Sequence, residues 1–421
     1  MGSKPYGMGF SEEGTKESGY MSNLDPAMGN PQAPMRVFVV PPSALLTDHL
    51  PHGDGLVALG FIRELAARGH EVHVAARSVD IRGALPPTVH MHNVGGREPA
   101  WAVRPAFMWR SRRLYRRLAR SIRFDVIHQL NPVEVGGSLA LADARAPVVL
   151  GPYIPDWAAS GPGADALVSP AALRAKRLVR AVQQRRATTV LLSTPAAASK
   201  IDASAARSLR VHELPHGIDE RAWRPGGDPG AGQDVLFLAN LEVRKGIHVL
   251  LDAFATLSER LPQARLRVAG VGPETDAVAR RVRETPALRA VELLGHVERD
   301  RVTATMQAAD VYCLPSYGEP FGMTALEAMA CARPVVATDA GGLRHLVPDD
   351  GGRKVPVGDA AALAAALAQL LADPGLRRAM GERNRQVVEQ RYAWSRVVDR
   401  LERIYGEAAA VSAARRAETS A

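Results

Sequence analysis

The sequence predicts an α/β protein of two doubly wound sheets facing each other across a cleft. Three observations carry that expectation. Short β-branched runs alternate with helical patterns along the chain. The alternation halts at the Gly/Pro-dense stretch RPGGDPGAGQD (224–234) and then restarts. Glycine-containing loops follow several of the strand-like runs. Such alternation means parallel strands joined by crossover helices. Ligands of these sheets bind at the carboxyl ends of the strands, and paired domains bind them in the cleft between.

The elements follow in order. RVFVV (36–40) is β-branched and bounded by prolines; a helical pattern covers Gly55 to Arg68; EVHVAA (71–76) follows the turn Gly69-His70. DVIHQ (125–129), PVVLG (147–151), TVLLS (189–193) and VHELP (211–215) read as further strands. After the break come VLFLA (235–239), RLRVAG (265–270), VELLG (291–295), VYCLP (311–315) and PVVAT (334–338), each with a helical pattern behind it. The segment 393–408 is amphipathic at helical spacing, which suits a helix packed across a domain junction. The expected division is a flexible tail over 1–34, a first domain over 35–215, a second over 216–392, and a junction-crossing helix over 393–421.

Composition narrows the class. A chain of 421 residues, 46% hydrophobic and 23% charged, is a globular protein with room for two cores. The Ala/Leu run at 360–371 is too short for a membrane span. The first 34 residues lack the layout of a secretion signal. Cys313 and Cys331 both lie in apolar segments, so neither a disulfide framework nor a zinc site is suggested, and a reducing cytoplasm is the expected location. Net charge is +9, yet only six of the 53 basic residues are lysines. The stretch 104–124 holds eight arginines interleaved with Phe107, Trp109 and Tyr115. It reads as a solvated helix face, a membrane-surface contact or an anion site. No nucleic-acid motif accompanies it.

Three constellations carry chemistry. GEPFGMTALEAMA (318–330) follows a strand and opens a helix near Gly322. The amides of Gly322, Met323 and Thr324 are then helix-start donors that suit a phosphate or sugar oxygen. Glu319 stands just before the helix. Glu327 lies about one and a half turns inside it and tilts back toward its start, and ionised carboxylates accept paired hydrogen bonds from vicinal hydroxyls. The second constellation is LANLEVRKG (238–246), where Arg244 and Lys245 at a helix mouth suit a diphosphate. The third is the loop 41–56, whose Gly53 and Gly55 allow close approach to a phosphate. It does not read G-x-G-x-x-G, so a dinucleotide fingerprint is unsupported. Gly270 and Gly272, in AGVGPE, end another strand and suit a loop passing beneath a flat base.

Together these motifs resemble the family 4 retaining glycosyltransferases of the two-domain GT-B fold, built from two Rossmann-like domains. LPHGID (214–219), VRKG (243–246), VAGVGPE (268–274), LLGHV (293–297), GEPFGMTALEAMA and RPVVATDAGG (333–342) match that family in order and spacing, and RELAARGHEVHV (63–74) adds to the likeness. The resemblance implies a UDP- or GDP-sugar held mainly by the second domain. Glu319 would meet the donor sugar and Glu327 the ribose. Lys245, the amides of residues 322–324 and Gly53 would hold the diphosphate, while Gly270, Gly272, His296 and Val297 would flank the base. It implies retention of anomeric configuration, with the departing phosphate oxygen taking the acceptor's proton. No cofactor is expected beyond the nucleotide-sugar co-substrate; a D-x-D pair is absent, in keeping with metal independence.

The sequence departs from that pattern in three places. Ala239-Asn240 stands where Gly-Arg is usual, so Arg244 is the expected substitute for the missing charge. Tyr153 stands where an active-site histidine often lies, which makes His128 the candidate stand-in. Ala332 replaces a usual glycine. On the first domain, Asp48, Asp54, Glu134 and Asp156, with Trp157 beside them, motivate an amino-bearing acceptor such as an aminocyclitol. DVIHQLNPVEVGGSLALA and GPYIPDW look similar to antibiotic-pathway enzymes that add N-acetylglucosamine to such acceptors. The competing expectation is a peripheral membrane enzyme acting on a lipid or lipid-linked glycan through 104–124. A sugar phosphorylase, an epimerase and a non-catalytic relative are weaker alternatives; Lys354, the only lysine after 245, lacks a Gly-rich cofactor setting.

Overall fold

The computed structural model describes residues 33–41, 45–49, 53–98, 103–130, 146–155, 170–206 and 209–420. Two large all-parallel sheets dominate the described residues, with a small two-stranded pairing of 46–47 and 79–80 besides. The first has seven strands, in spatial order 89–93, 71–76, 36–40, 126–130, 148–153, 189–192 and 210–213. The second has six: 291–295, 265–269, 234–238, 311–314, 335–338 and 352–355. In each, chain order reverses beside the first strand, between 36–40 and 126–130 and between 234–238 and 311–314. Ligands of open α/β sheets bind beside such reversal points, outside the carboxyl ends of the strands.

Side-chain alternation decides what each face packs against. In the first sheet Val37 and Val39 face Phe61 and Leu65 of the helix Gly53–Ala67, together with Val397, Leu401 and Tyr405. Phe38 and Val40 face the other way, onto Leu114, Tyr115 and Phe124. The second sheet is enclosed by one continuous apolar cluster that includes Phe237, Phe254, Tyr312 and Leu326.

The last helix, Trp394–Ser420, belongs to the first sheet although it follows the second. Two segments cross at the junction. Ile218 N–H donates to Tyr392 O at 2.8 Å, and Trp394 N–H donates to Ile218 O at 3.1 Å. Trp394 lies so close to Gly60 and Gly217 that a Cβ at either would sit within 2.1 or 2.3 Å of its ring. Arg68 then grips the helix through Asp399 at 2.6 Å and Glu402 at 3.0 Å, and Glu402 also meets His70 Nε2 at 2.7 Å. Among the described residues no helix is long and apolar enough to cross a membrane.

Two sheet strands have no counterpart in the sequence reading, 89–93 and 352–355. Both are outermost in their sheets. An edge strand has one neighbour and partly exposed side chains, so VHMHN and GRKV never needed the apolar runs that mark buried strands. Residues 1–32, most of the expected tail, lie outside the described residues.

Candidate active site

The site grows from the reversal point of the second sheet. After strand 234–238 the chain makes a short helical turn, Val243–Lys245, that ends at Gly246 with φ 76°. A side chain at Gly246 would bring its Cβ within 1.9 Å of Pro315 O, so only glycine lets this loop meet the one after strand 311–314. The loops are then tied together. Tyr317 N–H and Ser316 Oγ both donate to Arg244 O, at 2.9 and 3.0 Å. Gly342 N–H donates to Glu319 O at 2.7 Å. The result is a short ion pair, Lys245 Nζ to Glu319 Oε2 at 2.6 Å, with Arg244 at 4.0 Å from the same oxygen. Arg244 also pairs with Glu242 at 2.9 Å.

The helix Met323–Ala330 begins at Gly322, whose φ of 99° turns the chain into it. Buried Tyr312 fixes the helix start: its hydroxyl donates to Leu238 O at 3.1 Å and is paired with the Thr324 hydroxyl at 2.7 Å. Glu327 keeps part of its surface on the cleft while protein encloses its carboxyl. Burial pushes its pKa up to about 7, with Arg299 pulling weakly the other way. It is a carboxyl placed to accept hydrogen bonds but holding no close cation.

These groups open onto a cleft of about 1610 Å³ between the sheets. From the second sheet it is lined by Asn240, Arg244, Lys245, Gly270, His296, Val297, Glu319, Gly322, Met323, Thr324 and Glu327. From the first it takes Gly53 and Asp54, at the start of helix 53–67. A Cβ at Gly53 would meet no atom of the described residues within 4 Å. The structure thus gathers eleven of the twelve donor-side candidates on one cleft. Gly272 is the exception: it tucks under Leu241, whose oxygen a Cβ would meet at 2.4 Å, and does not line the cleft.

The first-sheet candidates fare differently. His128 is fully buried, with Nδ1 at 2.6 Å from Tyr405 Oη and Nε2 at 2.9 Å from Gly151 O, so it locks the last helix to the sheet and cannot act as a cleft base. Burial lowers its pKa to about 4. Tyr153 turns into the core beside Ala187 and Leu192, and burial raises its pKa to about 12; its neighbour Ile154 reaches the cleft instead. Asp48 lines the cleft edge, but its carboxylate is saturated. Arg82 N–H and Gly83 N–H donate to it at 3.0 and 2.8 Å and Arg63 pairs at 2.9 Å; these, Arg82 first, hold it well below the usual carboxylate range. It has no capacity left for an acceptor's ammonium. Glu134, Asp156 and Trp157 lie outside the described residues.

His216 was not singled out from its motif. It lies between strand 210–213 and Ile218, lines the cleft and packs on Phe321 with ring centroids 4.6 Å apart. Both ring nitrogens are enclosed, with no hydrogen-bond partner among the described residues, and burial lowers its pKa to about 4. The imidazole is therefore neutral and borders the ligand space, with a donor and an acceptor nitrogen that the described residues leave unmatched. The only sequence signal was a histidine between Pro215 and Gly217, which cannot tell an open ring from a bonded one.

Comparison with known proteins agrees with this geometry. Residues 53–222 match the family model described as Glycosyltransferase Family 4, and residues 222–387 match that described as Glycosyl transferases group 1. A phosphatidyl-myo-inositol mannosyltransferase of Mycobacterium leprae is 38% identical over 200 residues, covering 46% of this chain and 52% of the relative. A D-inositol 3-phosphate glycosyltransferase of Corynebacterium aurimucosum is 38% identical over 201 residues, covering 46% and 48%. The chain spans about half the length of these curated relatives. Among solved structures, sucrose-phosphate synthase from Thermosynechococcus elongatus superposes with TM-score 0.68 at 21% identity, over 90% of this chain and 100% of that one. Anabaena HepE in complex with UDP-glucose superposes with TM-score 0.64 at 19% identity, over 89% and 100%.

Proposed function

Since the chain belongs to the family 4 glycosyltransferases of the two-lobed GT-B fold, we propose that it moves a hexosyl group from a nucleoside diphosphate sugar to a hydroxyl of a cyclitol, with retention of configuration. The observation that carries this reading is the Lys245–Glu319 pair at 2.6 Å, held at the mouth of helix 323–330 on the reversal point of the second sheet. The acceptor oxygen bonds to C1 on the face from which the diphosphate departs. The C1–O bond breaks, and the acceptor's proton passes to the leaving phosphate oxygen. Charge grows on the diphosphate, so Lys245, Arg244 and the amides at 322–324 stabilise the transition state more than the ground state. Glu319 orients Lys245 and then the donor sugar, and Glu327 receives the ribose hydroxyls.

The donor we favour is UDP-N-acetylglucosamine; a structural neighbour that binds UDP-glucose supports the uridine nucleotide. For the acceptor, two relatives named for inositol substrates support a cyclitol. Asp54 and Glu64 on the cleft favour an amino-bearing ring, as an aminoglycoside precursor would present, while Arg63 and Arg82 favour a phosphate-bearing one. A screen of UDP-, GDP- and dTDP-hexoses against inositol, inositol phosphate and an aminocyclitol tests the reading. Nucleoside diphosphate release with a configuration-retained product is the expected result. An inverted product, or no turnover of any of these donors, overturns it.

A second reading places the same chemistry on a lipid headgroup. The helix Val103–Leu118 exposes Trp109, with Arg113 over its ring at 5.4 Å and Arg116 and Arg117 beyond it. An exposed indole among arginines suits an anionic bilayer surface. Salt-sensitive flotation with phosphatidylinositol vesicles, lost in Trp109→Ala, would favour it over the free cyclitol.

A further inference from the structure

At the opposite end of the first sheet from the cleft, the pairing register gathers four side chains with ligand atoms. His73 is the neighbour of His90 on adjacent parallel strands. Residues two apart share a face of a strand, so Glu71 joins His73 and His92 joins His90 on that face. Glu71 Oε1 lies 3.0 Å from His73 Nε2 and 3.6 Å from His90 Nε2. The His73 and His90 rings stack 4.5 Å apart at 28°. We propose that Glu71, His73 and His90 form a site for one divalent transition-metal ion of the zinc class, separate from glycosyl transfer.

The donor set and its spacing carry this. One ion bound at about 2.0–2.2 Å by imidazole nitrogen and carboxylate oxygen holds neighbouring ligand atoms roughly 3.4 Å apart at tetrahedral angles. The three ligand atoms here all lie within 4.8 Å of one another, with two of the three separations bracketing that distance. The supporting contacts have the form metal ligands receive. His73 Nδ1 meets His92 Nε2 at 3.1 Å, which fixes the ring with Nε2 toward Glu71. Arg36 Nε donates to Glu71 Oε2 at 3.1 Å, leaving Oε1 for the histidines. Hydrogen bonding accounts for His73 but not for His90, which stands 3.6 Å from the carboxylate, beyond bonding range. The nearby cations Arg36 and Arg117 oppose an ion held by charge alone, so the imidazoles favour a zinc-class ion over calcium or magnesium. None of the four residues lines the cleft. Bound metal would staple the edge strand 89–93 to its neighbour.

The test uses the whole chain, stripped with EDTA, titrated with Zn²⁺ by calorimetry and with Co²⁺ by visible absorption. One ion per chain is expected, with micromolar or tighter affinity, ligand-field bands for Co²⁺ and a raised Tm. Both His90→Ala and Glu71→Gln should weaken binding at least roughly tenfold. His90 is 44% exposed, so its variant retains the fold and its metal-free circular dichroism serves as the control. His296→Ala should leave metal binding unchanged. Absence of saturable Zn²⁺ binding, or undiminished affinity in the Glu71→Gln/His90→Ala double variant, overturns the site.

Discussion

The two sheets repeat one topology but use their reversal points differently. In the second, the loops after strands 234–238 and 311–314 are bonded to each other, and the charges they carry, Lys245, Glu319 and Glu327, turn into the cleft. In the first, Asp48 at the corresponding rim is bonded by amides from the distant residues 82 and 83, and His128 on the neighbouring strand is locked into the core. One lobe therefore gathers its charges into one bonded constellation, whereas the charges that the described part of the other puts on the cleft, Asp54, Arg63, Glu64 and Arg82 among them, are spread along its rim. Two buried histidines condense the contrast: His128 has both nitrogens bonded, and His216 has neither bonded among the described residues. A transferase needs this asymmetry, because preorganised charge lowers the barrier only where charge develops.

The comparison breaks most visibly at Lys245. Lys245→Ala should lower kcat by roughly 10²–10³ while leaving Tm within a few degrees, because the lost cation acts on the leaving diphosphate. Steady-state turnover of the donor measures this, and near wild-type turnover would remove the premise of the site. Glu327 sharpens it through pH. Its folded pKa of about 7 against an unfolded value near 4.5 means that the ligand-free protein holds an extra proton between those values. The ligand-free protein should accordingly lose stability as pH rises from 4.5 to 7. Donor affinity should rise over the upper part of that window, since only the carboxylate accepts from both ribose hydroxyls. Glu327→Gln should flatten the profile and weaken donor binding roughly tenfold, a loss of one charged hydrogen bond; an unchanged profile by calorimetry counts against the assignment.

The histidines give a paired experiment. His128→Leu strands Tyr405 Oη and Gly151 O, and should cost roughly 2–4 kcal/mol in chemical denaturation while sparing kcat of the folded fraction. His216→Leu strands no protein group, so stability should hold or rise while kcat/KM falls several-fold. Equal stability losses in the two variants would erase the distinction. The smallest effect concerns Ala332, which adopts φ 57° where relatives of this fold were expected to carry glycine. Ala332→Gly should stabilise by about 1 kcal/mol, the relief of a left-handed backbone; an unchanged denaturation midpoint would show the strain to be negligible.

Much of the fold was legible because buried parallel strands must be apolar on both faces. VFVV, VLFL and PVVAT announce themselves for that reason, and the two missed sheet strands are edges exempt from the rule. The donor side was legible because helix starts need particular residues: glycine at 246 and 322 marks the tight turns, and the charges beside them stand within a few residues of the turn. The acceptor side was less legible. Tyr153 and Ile154 are adjacent, and which one reaches the cleft depends on where strand 148–153 ends and how helix 170–186 covers it. Asp48 and Asp54 look alike in sequence, but only one is saturated by amides brought from residues 82 and 83.

By itself, then, the chain determined its strand-and-helix rhythm, the Gly/Pro break that precedes the second sheet and the glycine-opened turns beside Lys245, Glu319 and Glu327, since these follow from local backbone preference and periodic burial. Tertiary packing alone decided that Lys245 meets Glu319 across 74 residues, that the last helix returns to the first sheet, and that His128 is bonded at both nitrogens while His216 finds no partner among the described residues. The reason is physical: a side chain's partners are set by which elements pack onto its face, and that information is shared among distant segments that only folding brings together.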